Sequence, residues 1–336
     1  MNVPDWNAWL FFGKTAEIQR GVDPLVLTAY STMYEAFYGL KEKPFSIQPD
    51  PDFLYMGKRH SLAYTMLQYA LQNRAGFTVI CGEIGCGKTT LIRRLLNELG
   101  EGVSVGLVTN THPDLADLTE WIMLAFGLPY DRLTPVARYD AFQRFLINEY
   151  GQGRRVVLIV DEAQNLSAPA MESLRMLSNI NADKDQLLQI ILVGQPQLRD
   201  LLKRPELQQF AQRVAADFFI PPLNSVEVGD YIEHRLKVAG RDRQLFTPLA
   251  TAKIAKAAGG IPRSINILCD MALVYGFAAE ARLIDVHIID EVLRDRSHYG
   301  VLGDVNFHSS QPADLRLVES SSASARLMDN TPPPKA

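Results

Sequence analysis

An apolar run that empties into a glycine-rich turn and then into a helix leaves a chain few folds to choose from. Residues 77–92 form such a run, reading Phe77-Thr-Val-Ile-Cys-Gly-Glu-Ile-Gly-Cys-Gly-Lys-Thr-Thr-Leu-Ile92. Positions 77–81 are β-branched, aromatic or small, as a strand covered on both faces of a parallel sheet requires. Gly82, Gly85 and Gly87 let the chain fold back with its N–H groups pointing inward, and the positive end of the following helix completes an anion site. Within Gly82-x-x-x-x-Gly87-Lys88-Thr89, the lysine can reach the β- and γ-phosphates of a nucleotide, and the threonine hydroxyl can ligate the magnesium ion that bridges them. The whole turn, Gly82, Glu83, Ile84, Gly85, Cys86, Gly87, Lys88, Thr89 and Thr90, is therefore expected to hold ATP and Mg2+. The competing reading is a chance glycine turn. The strand before the turn and the Leu91, Leu95, Leu96, Leu99 stripe after it favour the phosphate cradle.

The rest of the chain repeats the alternation. Strand patterns at 103–109, read as a second buried strand, and at 155–160, 187–193 and 215–220 are separated by helical patterns near 114–126, 137–150 and 168–180. Strands alternating with helices predict an α/β fold with a parallel five-stranded sheet. From Ser225 onward only helices are expected, at about 226–239, 247–258, 262–279 and 286–296, forming a small lid. Ahead of the loop, residues 41–55 read as a proline-punctuated arm with aromatic anchors, able to lie across a domain surface. A helix then spans His60 to Asn73, with Leu62, Met66, Tyr69 and Ala70 on its apolar face and His60 as a polar residue at its start. The expected organisation is an N-terminal extension over 1–32, a nucleotide-binding α/β domain with its arm over 33–222, a helical lid over 223–296 and a disordered tail over 297–336.

Composition narrows the functions. A hydrophobic content of 47% supports a buried core, and 34 basic against 38 acidic residues, a net charge of −4, do not describe a general polyanion binder. Nucleic acid is thus not indicated, although a local basic face stays open. The three cysteines, Cys81, Cys86 and Cys269, lack paired spacing and read as reduced, small apolar fillers. No apolar run approaches the length of a membrane helix, and the Trp9-Leu-Phe-Phe12 cluster is too short for a secretion signal, so a cytoplasmic protein with no membrane span is expected.

Chemistry concentrates at the ends of the predicted strands. Asp161-Glu162 follows the apolar run 155–160; Asp161 would hold the magnesium shell and Glu162 would orient and deprotonate an attacking water. An acidic helix-capping pair is the bland alternative. Gln195 follows another strand end, from which it could contact the γ-phosphate or the water. Arg213 lies just ahead of the last strand and could reach a neighbouring subunit's nucleotide. Arg263, in the first turn of a helix after Gly259-Gly260-Ile-Pro262, opposes the helix dipole, which suggests an external anion.

Taken together, residues 82–89, the Asp161-Glu162-Ala-Gln164 box, Gly194-Gln195-Pro196 and Gly260-Ile-Pro-Arg263 resemble the AAA+ ATPases of the ExeA/GspA type, relatives of the MshM pilus-biogenesis and TniB transposition ATPases. The arm from Phe37-Tyr-Gly-Leu-Lys-Glu-Lys-Pro-Phe45 to Pro49-Asp-Pro-Asp-Phe53 is similar to that family's N-terminal signature. The resemblance implies a P-loop sheet of order 5-1-4-3-2, an all-helical AAA+ lid carrying Arg263 as second sensor, Gln195 as first sensor and Arg213 as arginine finger in a homo-oligomer. It also implies a protein client in envelope, secretion or exopolysaccharide export, reached peripherally at the inner membrane through a partner. The chain reads as a short form, without the family's transmembrane helix and peptidoglycan-binding domain. The alternative function is a nucleotide-dependent switch or scaffold, DNA-associated as in the transposition ATPases.

Overall fold

The computed structural model describes residues 33–109, 117–182 and 185–299. The expected extension over 1–32, and the tail from residue 300 onward, lie outside the described residues.

Five parallel strands build the sheet: β1 (Phe77–Gly82), β2 (Val103–Val108), β3 (Arg155–Val160), β4 (Leu188–Gly194) and β5 (Val214–Ile220). Their order across the sheet is β2-β3-β4-β1-β5. The register pairs Cys81 with Gly194, Gly82 with Ile220 and Val160 with Leu192, so β1, β3 and β4 end side by side at one edge. Side-chain alternation divides the core into two layers. Phe77, Val79, Cys81, Leu158 and Leu192 face one layer, and Ile80, Val157, Ile159 and Val193 face the other.

Among the described residues eight helices precede the last strand: α1 (Glu35–Tyr38), α2 (Lys58–Gln72), α3 (Lys88–Glu98), α4 (Leu118–Ala125), α5 (Pro135–Gly151), α6 (Ala168–Leu177), α7 (Pro196–Leu202) and α8 (Gln208–Ala211). Several start where the sequence supplies a cap. Thr134 accepts from the Ala137 amide with Pro135 in the first turn, and Ser167 accepts from the Ala170 amide.

Two readings of this layer are corrected. The core stripe of α2 is Ala63, Tyr64, Leu67, Ala70 and Leu71; of the face expected from the sequence only Ala70 is buried, while Leu62 and Tyr69 are 45% and 62% exposed. Apolar residues occur on two sides of this helix, and the sheet covers the side one position further on. The strand at 103–108, expected to be buried, is the edge strand and is mostly half-buried.

Among the described residues the elements after Ile220 are four helices, α9 (Ser225–Val238), α10 (Pro248–Ala258), α11 (Pro262–Ala278) and α12 (Val286–Tyr299), with one isolated bridge between Phe246 and Ile284. The last helix runs three residues past its expected end. Asn224 starts α9 with a capping box completed by Glu227. These helices share a core with the arm: Tyr34, Tyr38, Leu40, Phe45 and Phe53 pack with Leu236, Phe246, Leu268 and Leu273. The arm therefore belongs to the helical layer by packing, although the sequence separates the two by the entire sheet.

The join between the layers is a backbone contact. Gly260 has φ +72°, and a Cβ there would stand 2.0 Å from the Leu223 carbonyl oxygen. The Leu223 amide donates to the Gly260 carbonyl at 2.9 Å. Neither backbone can yield easily, so Gly260→Ala should cost on the order of 3 kcal/mol from strain and overlap together. Thermal unfolding should then start about 6–12 °C lower; an unchanged melting temperature would show that the turn relaxes freely.

Candidate functional site

The phosphate loop takes its shape from its glycines. Gly85 and Gly87 have φ of +80° and +95°, in the region where a Cβ is unfavourable. Gly82 also cannot carry a side chain, because a Cβ would meet the Ile220 carbonyl oxygen at 2.8 Å. Lys88 opens α3 and is only 6% exposed. Its ammonium donates to the Gly82 and Glu83 carbonyls at 2.8 and 3.0 Å. These carbonyls are neutral, so a polyphosphate would supply the counter-charge that a buried cation favours.

Below the loop lies His60, 4% exposed, with Nε2 2.9 Å from the Cys86 carbonyl. A carbonyl only accepts, so Nε2 carries the proton, while Nδ1 is buried without a hydrogen-bond partner among the described residues. Burial pushes the imidazole below its ordinary value, keeping it neutral, against smaller opposing effects of the Cys86 bond and Glu227. His60 lies in the first turn of α2, as expected, and is in addition a buried support of the loop. Its partner is 26 positions away, beyond the reach of local pattern.

The neighbouring strand ends deliver the acids. Asp161 directly follows β3, and its Oδ2 accepts from the Thr89 hydroxyl at 3.0 Å. Burial raises its carboxyl above the ordinary value, while the Glu162 amide and the Thr89 hydroxyl pull the other way. Thr89 and Asp161 are hard oxygen donors placed together beside the loop, a set suited to Mg2+. Glu162 sits at φ +52°, a left-handed conformation that a non-glycine residue adopts at a cost. One oxygen of its carboxylate, Oε2, accepts from Gln164 at 2.6 Å and from Gln195 at 3.1 Å.

The helical layer closes the site from above. The Arg263 amide donates to the Gly85 carbonyl at 3.1 Å, and a Cβ on Gly85 would stand 2.5 Å from that of Arg263. Between loop, lid and arm lies a cavity of about 220 Å³ lined by Lys88, Thr90, Glu162 and Arg263, by the arm residues 46–50, and by Tyr231, Arg235 and Asn266. Ile84 stands at its rim, 58% exposed.

Arg235 is buried and clasps the arm. It donates to the Pro44 carbonyl, and to that of Ser46 at 3.3 Å, with its guanidinium 4.6 Å from the centre of the Phe53 ring. Asn266 donates to the same Ser46 carbonyl at 3.0 Å. Sequence reasoning assigned no role to Arg235 or Asn266, since neither belongs to a local motif.

Arg213 stands apart from this assembly. It precedes Val214, which pairs with Phe77 at the start of β1, whereas the loop follows Gly82, which pairs with Ile220. The length of β5, about 20 Å at the rise of a strand, separates the two. Arg213 instead donates to Ser178 Oγ at 3.1 Å and to Asn179 Oδ1 beyond the end of α6.

Residues 71–202 match a family described as an AAA domain. The chain is 42% identical over 247 residues to the general secretion pathway protein A of Aeromonas hydrophila. This protein is an AAA ATPase of the GspA (ExeA) type. The alignment covers 73% of the chain and 45% of that relative, so the chain spans less than half of the GspA protein's length.

Solved structures show the same fold at low identity. The Aeropyrum pernix ORC2 protein in its ADP form aligns with TM-score 0.55 at 20% identity, over 73% of this chain and 69% of that one. The Drosophila ORC bound to DNA aligns with TM-score 0.55 at 16% identity, over 79% and 66%. The GspA-type chain thus shares the fold of these proteins. Among the described residues no helix is long and apolar enough to cross a membrane.

Proposed function

We propose that the chain binds ATP with Mg2+ between the phosphate loop and the lid, and hydrolyses it as a subunit of a homo-oligomer. The observation that carries this reading is the meeting of Lys88, Thr89, Asp161, Glu162 and Gln195 at adjoining strand ends. Thr89 and Asp161 would hold the metal, which would supply positive charge against the phosphates. Loop amides and Lys88 bind the phosphates, and residues 46–50 wall the cavity on the arm side. Glu162 orients the attacking water and takes its proton; Gln195 marks the γ-phosphate end as first sensor. Arg263 reaches the nucleotide from the lid as second sensor, and Arg213 serves the neighbouring subunit.

The identity to general secretion pathway protein A supports a nucleotide-dependent role in secretion. We assign the energy of hydrolysis to assembling or remodelling a protein client in secretion, envelope or exopolysaccharide export, from the cytoplasmic side of the inner membrane and through a partner. On this reading residues 33–222 work as the nucleotide-binding unit with its arm and 223–296 as the lid.

The metal assignment is tested by titrating wild type and Asp161→Asn with a fluorescent ATP analogue, with Mg2+ and with EDTA. Wild type should bind at least about tenfold more tightly with Mg2+, which corresponds to about 1.4 kcal/mol. Asp161→Asn should lose most of that gain while matching wild type in EDTA. Equal Mg2+ dependence in both proteins would remove Asp161 from the metal site.

A further inference from the structure

We infer that Gln164, which the hydrolysis chemistry above does not use, is a positioning residue that locks the Glu162 carboxylate to the end of β4. The inference rests on the ATPase reading. Its physical basis is a closed triangle of hydrogen bonds at the site's edge. The Gln195 backbone amide donates to Gln164 Oε1 at 3.0 Å. That bond settles the orientation of the side-chain amide, because a backbone N–H can only donate; Nε2 is left facing Glu162, whose Oε2 it meets at 2.6 Å. The Gln195 side chain closes the triangle at 3.1 Å on the same oxygen.

The backbone is built around this arrangement. A 3-10 turn over Ala163–Asn165 places Gln164 beside Glu162, and the left-handed conformation of Glu162 reverses the chain just before it. Gly194 leaves the space: a Cβ there would approach Gln164 Oε1 to 2.8 Å. A side chain at Gly194 would therefore displace the amide.

The consequence concerns when Glu162 is aimed. Its carboxylate holds one bond from the residue expected to sense the γ-phosphate and one from Gln164, which is tied to that residue's backbone. Movement of Gln195 on nucleotide therefore reaches Glu162 by two routes, side chain and backbone. Without Gln164 the carboxylate would lose the shorter of these two tethers, and with it the direction they fix together, while the phosphate loop and lid contacts stay intact. Turnover should fall and binding should not.

The test uses the full chain with Gln164→Met, close in volume but unable to hydrogen-bond, and Gln164→Glu, close in shape but an acceptor where a donor is needed. Wild type, Glu162→Gln and Gln195→Met are assayed beside them for kcat, KM and affinity for a fluorescent ATP analogue. Both Gln164 variants should keep affinity within about threefold and lose about 10- to 100-fold in kcat, the range for a hydrogen bond to a charged group. Gln164→Met combined with Gln195→Met should fall little below the weaker single variant, because the two amides act as a unit. Wild-type kcat in either folded Gln164 variant would overturn the inference, as would parallel loss of affinity and kcat, the mark of a merely structural role. If Glu162→Gln were itself as active as wild type, the ATPase reading would fall and this inference with it. An inactive Glu162→Gln beside fully active Gln164 variants would refute the positioning role alone.

Discussion

Arg213→Ala is expected to bind ATP as wild type does and to hydrolyse it about 10³-fold or more slowly, the range for an arginine supplied across a subunit boundary. The transition state of γ-phosphoryl transfer spreads negative charge that Lys88 and the metal offset only in part. Arg213 lies at the far end of β5 from its own loop and cannot serve it. Ser178 and Asn179 hold its guanidinium from the end of α6. Mixing Arg213→Ala with Glu162→Gln should recover part of the lost rate, because some interfaces would join an intact Glu162 to an intact Arg213. The measurement is phosphate release across mixing ratios. Wild-type turnover by Arg213→Ala alone, or activity from a monomer at all concentrations, would return this residue to an ordinary surface charge.

Lys88→Ala should have the second large effect, and on binding rather than turnover. The buried ammonium is held by two loop carbonyls and acts on phosphate in the ground state. Its loss should weaken ATP binding by at least about 100-fold, close to 2.7 kcal/mol, as read by fluorescence titration. An affinity within a few-fold of wild type would mean that the loop amides alone carry the phosphates.

The sheet was legible because each strand is a run of β-branched and apolar residues bounded by turn residues. The loop's shape was legible because its glycines Gly85 and Gly87 stand where the turn needs positive φ, directly before the helix that Lys88 opens. Positions along the strands translated directly into the site, since parallel strands ending in register bring Asp161, Gly194 and Gly82 to one edge.

Legibility stopped where a residue's role is set by a distant partner. His60 read as a helix start because nothing near it in sequence announces the Cys86 carbonyl. Arg235 lies in an ordinary amphipathic helix, and its acceptors in the arm are about 190 positions away. The arm's anchors were visible as aromatics, but the helical core that receives them was not. On α2 the reading failed for another reason: apolar residues flank the helix on two sides, so periodicity alone could not tell the buried stripe from the exposed Leu62 and Tyr69.

The central claim is hydrolysis by Glu162 at a site that binds nucleotide independently of it. The most direct measurement is phosphate release under saturating Mg-ATP by wild type and Glu162→Gln, with nucleotide affinity measured on the same preparations. The account predicts matching affinities and a kcat about 10²- to 10⁴-fold lower in Glu162→Gln, the range for loss of a general base. Equal turnover in the two proteins, or a loss of affinity as large as the loss of rate, would contradict it.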